Sequence, residues 1–424
     1  MMLIKNGRVM DPASGRDEIT DVLIKDGLIE KIADGIDEKE DNERKLIDAT
    51  GMVVCPGFVD VHAHFRDPGQ TEKEDLATGE RAAIAGGYTS VVLMANTVPA
   101  IDSTVMLNSN IRRTLDSHIH IYHCAAVTNS RQGRSLVNME ALKEAGAPGF
   151  TDDGSPILDT DVVREAMETA ARLGMPLSFH EEDPAYISEA GINAGEVALK
   201  FGLKGADRRA EISMVKRDIA LALETGAKID IQHVSAKETV ELIRQAKKND
   251  PDGLIHAEAT PHHFSLTEKA VEDIGNDAKV NPPLRTEEDR LAIIEGLKDG
   301  TIDMIATDHA PHTMVEKRRS FIAAPSGMIG LETALALGMT NLVHAGHLSL
   351  MRLIELMSYG PARFYGFNAG ELKEGGIPDI TIFDPDEKWT VKRFNSKSSN
   401  SPFIGKELTG KVHYTIASGK EAWV

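Results

Sequence analysis

Cysteine is nearly absent from this chain: Cys55 and Cys124 are the two in 424 residues. That count excludes a disulfide framework and fits a reducing cytoplasm. Cationic excess is missing as well, with 47 Lys+Arg against 66 Asp+Glu and a formal net charge of −19. Such a chain repels phosphate backbones and anionic lipids, which argues against nucleic-acid or membrane binding through bulk charge. No uninterrupted apolar run approaches the roughly 18 residues of a bilayer span. The opening MMLIKNGRVMDP has no cationic flank ahead of an apolar stretch, so it does not read as a signal peptide. G-x-G-x-x-G follows no candidate strand, which weakens a dinucleotide-binding reading. The expectation is a soluble, cytoplasmic enzyme acting on a small molecule.

With 41% apolar residues the chain has enough material for a sizeable core. Its length suits two ordinary domains, or one barrel of roughly 250 residues with a smaller partner. The first segment reads as short strands at 3–9, 21–24, 28–32 and 45–54, punctuated by Gly7, Gly15 and Gly27. Residues 37–43 are acidic and read as a solvated loop. The last segment is similar, with strands at 379–383, 389–391 and 412–418. Neither end can make a core alone, so one composite β-domain built from both termini is expected.

Between them, short apolar runs alternate with helical patterns. The runs fall at 58–62, 90–95, 119–127, 147–151, 176–180, 228–233, 254–259 and 302–307. Helical patterns follow at 74–85, 161–173, 212–223, 237–248 and 287–297. Eight βα units argue for a TIM (β/α)8 barrel rather than an open sheet. The expected division is 1–55 and 366–424 for the composite β-domain and 56–365 for the barrel. Segment 181–210 is long for a βα connection and is expected over the barrel mouth or at a subunit contact; 310–330 is similarly long, and long loops on that face are where substrate gates lie.

The first barrel run ends in Asp60-Val-His62-Ala-His64-Phe-Arg66. Alternate strand residues point the same way, so His62 and His64 can present two imidazoles to one ion. A bare H-x-H is more often two unrelated polar residues. Here His180 closes the fifth run, His233 the sixth, and Asp308 follows the eighth. All lie at C-terminal strand ends, the barrel face that carries active sites. Imidazole and carboxylate suit Zn²⁺, with Mn²⁺ or Co²⁺ as alternatives. An ion pair roughly 3.5–4 Å apart needs a shared anionic ligand. Asp152 or Asp153 can supply it, and spacing alone does not choose.

This pattern resembles the amidohydrolase superfamily and, more narrowly, the type I dihydroorotases, whose composite β-sandwich the two termini also suit. The matching blocks run in family order across the barrel: 57–69 with its H-A-H, 94–99 around Asn96, and Phe150-Thr-Asp-Asp-Gly154. Asn281-Pro-Pro-Leu-Arg285, Asp308-His-Ala-Pro-His312 and Ala324-Pro-Ser-Gly327 complete the set. The resemblance implies two Zn²⁺ per subunit, bridged by Asp153 and a hydroxide. It assigns His62, His64 and Asp308 to one ion and His180 and His233 to the other. Dihydropyrimidinases, hydantoinases and allantoinases usually bridge with a carboxylated lysine here, and 148–158 contains no lysine. Asp308 is implied as the acid–base residue. Arg66, Asn96 and His312 are implied for the substrate carboxylate, and Asn281 with the Ser326–Gly327 backbone for the ring; His64 also faces the substrate. The reaction implied is reversible hydrolysis of (S)-dihydroorotate to N-carbamoyl-L-aspartate, the third step of pyrimidine synthesis. Arg66 also suits that substrate on its own chemistry, since a guanidinium grips a carboxylate with two parallel bonds.

Two positions depart from the family. Ala95 stands where Pro is common, altering local backbone stiffness, and Ser326 stands where Phe is common, removing an apolar wall. His262 and His263 read as structural, and Lys317-Arg318-Arg319 as solvated. Other readings are an allantoinase or dihydropyrimidinase, or a silent dihydroorotase-like partner of aspartate transcarbamoylase. The last ranks low because all six metal positions are filled. A homodimer is expected, with association with aspartate transcarbamoylase left open.

Overall fold

The computed structural model describes residues 1–36 and 45–422. The acidic stretch expected as a loop at 37–43 lies outside the described residues. Alternating or uniformly apolar runs become β1 (Met2–Asp11), β2 (Arg16–Lys25), β3 (Leu28–Ala33), β4 (Lys45–Asp48) and β5 (Val53–Pro56). The barrel strands follow as β6 (Phe58–Ala63), β7 (Tyr88–Leu93), β8 (His120–His123), β9 (Phe150–Thr151), β10 (Leu177–Phe179), β11 (Ile229–Ile231), β12 (Ile255–Ala259) and β13 (Met304–Ile305). The chain ends on β14 (Ile380–Thr390), β15 (Glu407–Ala417) and β16 (Lys420–Ala422).

Both termini join one mixed sheet, ordered β16-β15-β14-β5-β1-β2-β3, with β4 also on β1. The joint is the antiparallel pair β5–β14, registered Val54 to Ile382. Ile4, Val22, Ile29, Val54, Ile380, Ile382 and Ile416 bury one apolar cluster between the two chain ends. Residues 45–54, expected as one strand, are two. Asp48 accepts bonds from the Thr50 N–H and hydroxyl, at 3.0 and 2.6 Å, and Gly51 takes φ +80. This Asx-type turn interrupts the run, and β4 and β5 then pair separately with the two halves of β1.

The barrel strands are parallel and lie in two arcs, β6-β7-β8 and β9 through β13. Bridges at Ala125–Phe150 and Ala63–His309 join the arcs, the second through His64 N–H to the His309 carbonyl at 2.9 Å. Closure brings the C-terminal ends of β6 and β13 together, and with them His62, His64 and Asp308. The surrounding helices obey ordinary signals. In Thr160–Leu173, Asp159 caps the N-terminus and Gly174 closes the other end at φ +63. Its buried face is Val163, Ala166, Met167, Ala170 and Leu173, a helical period against the barrel. Each large apolar side chain there contributes about 1.5–3 kcal/mol by burial, so Ala166→Asp would undo the packing. Among the described residues no helix is long and apolar enough to cross a membrane.

Candidate metal centre

His62 lies at the end of β6, fully buried. Its Nδ1 is 2.6 Å from Glu258 Oε1 on β12. A carboxylate only accepts, so Nδ1 carries hydrogen. Burial opposes charge on the ring, but Glu258, Asp153 and Asp308 hold the metal-free imidazole well above its usual range, and an ion at Nε2 would displace the proton there. That Nε2 is buried without a hydrogen-bond partner among the described residues, 3.4 Å from Asp153 Oδ1 and 3.5 Å from Asp308 Oδ1. His64 Nε2 is 2.9 Å from Asp308 Oδ1 and 3.6 Å from Asp153 Oδ2. On the other side, His180 Nδ1 and His233 Nε2 stand 2.9 Å apart and 3.5 and 4.0 Å from Asp153 Oδ1.

Among the described residues, two groups can hold an ion: His62, His64 and Asp153, and Asp153, His180 and His233. They share Asp153. Tetrahedral Zn–N bonds of about 2.0–2.1 Å place ligand atoms ~3.3 Å apart. The donor separations here, 2.9 to 4.0 Å, bracket that value. The orphaned Nε2 of His62 and the imidazole–carboxylate set therefore fit a metal site. Burial opposes charge on Asp153, but His62, His180 and His64 hold its carboxyl well below the usual range. An anion is thus fixed between the two pairs.

Asp152 turns away. Its carboxylate accepts from Val127 N–H at 2.8 Å, Thr128 N–H at 3.2 Å and the Thr128 hydroxyl, holding a turn rather than facing the imidazoles. His263 is likewise engaged elsewhere, with Thr260 Oγ1 at 2.8 Å and the Pro282 carbonyl at 3.0 Å.

Above the imidazoles lies a cavity of about 220 Å³. His64, Arg66, Asn96, Asp153, His180, His233, Asn281, Asp308, His312, Ser326 and Gly327 all line it, while His62 lies beneath. Arg66 sits at the mouth of β6 with φ +57 and donates from Nε to the Pro311 carbonyl at 3.3 Å. Asn96 accepts from His64 Nδ1 at 3.0 Å and donates to Asp153 Oδ2 at 2.8 Å. Asn281 Oδ1 is buried without a hydrogen-bond partner among the described residues. His312 is buried rather than a surface imidazole. Its Nε2 donates to the Ser326 carbonyl at 2.9 Å, and burial beside Arg66 pushes it down to about 2, so the ring is neutral.

One reading needs correction. Lys317, expected to be solvated, is 5% exposed and donates to the Gly327 and Pro325 carbonyls at 2.9 and 3.2 Å. The ammonium takes the place of water on the 325–327 turn; Arg318 and Arg319 stay exposed. Three supporting residues were given no role by the sequence. Glu258 orients His62 and also accepts from the His233 N–H at 3.2 Å. Glu182 meets His180 Nε2 at 3.0 Å, and Asp60 takes the Thr307 N–H at 3.0 Å, tying β6 to the end of β13. A lone carboxylate inside a strand, as in Ile255-His-Ala-Glu258-Ala, is the one clue available.

The chain belongs to the amidohydrolase family, whose model matches residues 53–422. It is 55% identical over 420 residues to the dihydroorotase of Clostridioides difficile, covering 99% of each chain. It is 53% identical to that of Clostridium acetobutylicum, again covering 99% of each. In structure it is similar to the L-hydantoinase (dihydropyrimidinase) of Arthrobacter aurescens, with TM-score 0.89 and 27% identity, covering 100% of this chain and 96% of that one. The dihydropyrimidinase of Brevibacillus agri shares the fold at TM-score 0.85 and 22% identity, covering 100% of this chain and 95% of that one.

Proposed function

We infer that the chain is a dihydroorotase, hydrolysing (S)-dihydroorotate reversibly to N-carbamoyl-L-aspartate in pyrimidine synthesis. The observation that carries this is one cavity, lined by Arg66, over two imidazole pairs that meet at Asp153, in a chain 55% identical to a curated dihydroorotase end to end.

His62, His64 and Asp308 would hold one Zn²⁺, His180 and His233 a second, with Asp153 between them. When bound, the ions polarise the ring carbonyl and lower the pKa of the attacking water. Asp308 accepts the proton of that water and returns it to the ring nitrogen as the carbon–nitrogen bond breaks. Cyclisation runs the same transfers backwards. Arg66 pairs its guanidinium fork with the substrate carboxylate. Asn96 donates to Asp153 Oδ2 at 2.8 Å and, more loosely, to the Asp153 carbonyl at 3.5 Å, and would give up the longer bond to donate to the substrate carboxylate. His312 would exchange its bond to Ser326 for one to the same group. The unpartnered Asn281 Oδ1 suits a ring N–H, and the Ser326–Gly327 backbone borders the ring's other edge.

The likeness to the L-hydantoinase favours a second reading, an enzyme for uncharged cyclic amides. Parallel assays of dihydroorotate, dihydrouracil and allantoin on one preparation of measured metal content separate them. Preference for dihydroorotate supports the first reading; preference for either other amide overturns it. A cytoplasmic homodimer belongs to the same proposal, as does an aspartate transcarbamoylase partner, and size-exclusion with both proteins reads out each.

A further inference from the structure

Residues 395–401 lie between β14 and β15 and are hydrogen-bonded to the loops that carry the barrel's site. The Lys397 N–H and the Ser396 hydroxyl meet the fully buried Glu74, and Ser398 donates to the Lys73 carbonyl at 2.7 Å. Asn400 makes the connection nearest the cavity. It is 4% exposed, and its amide is fully used. Oδ1 accepts from the His312 N–H at 3.1 Å, while Nδ2 donates to the Ala310 and Gly327 carbonyls, both at 3.1 Å. Its own carbonyl accepts from Ile329 N–H at 3.0 Å.

Three cavity-lining residues, Ala310, His312 and Gly327, are therefore joined through one side chain, with Lys317 as a second donor on the Gly327 carbonyl. The two backbone stretches approach too closely for anything bulkier between them. Gly327 has φ +129, and a Cβ there would lie 2.8 Å from Ala310 Cβ and 3.2 Å from His312 Cδ2. One acceptor and two donors in a plane match one N–H and two carbonyls. Aspartate has the same shape but offers acceptors alone.

We propose that Asn400 is a positioning residue for substrate: it sets the spacing between His312 and the Ser326–Gly327 backbone, the wall that receives the ring and its carboxylate. It touches no substrate itself. A connection between two strands of the terminal sheet thereby controls affinity in the barrel. This rests on the dihydroorotase reading for the identity of the substrate, but not for the geometry.

Wild type, Asn400→Ala and Asn400→Asp are compared as holoenzymes of measured metal content. Dihydroorotate, dihydrouracil and allantoin are assayed first, and the comparison uses whichever the wild type turns over. No turnover of dihydroorotate thus sinks the functional reading and leaves the Asn400 comparison intact. For Asn400→Ala the expectation is a KM about tenfold higher or more, kcat within about threefold, and metal retained. Asn400→Asp should do at least as much, because its carboxylate faces two carbonyl oxygens. Wild-type KM in Asn400→Asp overturns the proposal, as does loss of metal and kcat together, the mark of a merely structural role. Should Asn400→Ala fail to fold, Gly327→Ala probes the same spacing from the other side, and an unchanged KM there overturns it equally.

Discussion

The two imidazole pairs reach Asp153 by different routes. His62 lies in β6 and His64 just past its end, where a two-residue step along one chain brings their ring centroids to 5.3 Å. His180 and His233 follow separate strands, and their 4.7 Å separation depends on the register of β10 with β11, Phe179 opposite Ile231. Local covalent geometry sets the first pair; sheet pairing sets the second. Glu258 ties them, its Oε1 taking both His62 Nδ1 and the His233 N–H. A centre built this way is only as rigid as the parallel sheet beneath its second half.

The harshest break is removal of the second pair. His180→Ala and His233→Ala should each lower bound metal and abolish most hydrolysis while circular dichroism shows the barrel folded. Full metal content with normal turnover in both would remove that half from the site. Arg66→Met comes next and should spare both pairs. Losing one partner of a buried charge pair costs about 2–5 kcal/mol, roughly thirty- to several-thousand-fold in kcat/KM for dihydroorotate. Arg66→Lys should recover part of this, keeping charge without the fork. Near-normal kcat/KM in Arg66→Met would place the carboxylate clamp elsewhere.

Glu258→Gln sharpens the comparison, because it touches both pairs. Loss of such a supporting carboxylate typically weakens metal affinity about 10–100-fold, and metal-buffered titration should show both ions weakened; an effect on one alone would show that the tie is not shared. The smallest effect belongs to Asp152→Asn. It should leave metal content intact and lower stability by about 1–3 kcal/mol, since a buried turn loses acceptor capacity. Chemical denaturation with metal analysis reads both quantities.

The same contrast explains what could be read in advance. Buried parallel strands are short apolar runs, so all eight were visible, although β9 and β13 shrank to Phe150–Thr151 and Met304–Ile305. The H-x-H pair was visible because its spacing is covalent. His180, His233 and Asp308 became legible only once the strand ends were lined up. Glu258 was not legible, since its partner His62 lies 196 residues away and no spacing joins them. Lys317 misled because a charged triplet reads as surface, and its burial depends on a loop folding back onto its own carbonyls. The break between β4 and β5 was written in Asp48 and Gly51 but outweighed by the apolar residues around them.

Metal stoichiometry in Asp153→Asn, measured beside wild type by mass spectrometry of the elements, tests the shared carboxylate most directly. Asp153 is the one residue common to both candidate groups. An amide cannot offset repulsion between two cations. The account predicts two ions per chain in wild type and one or none in the variant, with hydrolysis of dihydroorotate falling alongside. Two tightly held ions in Asp153→Asn would contradict it.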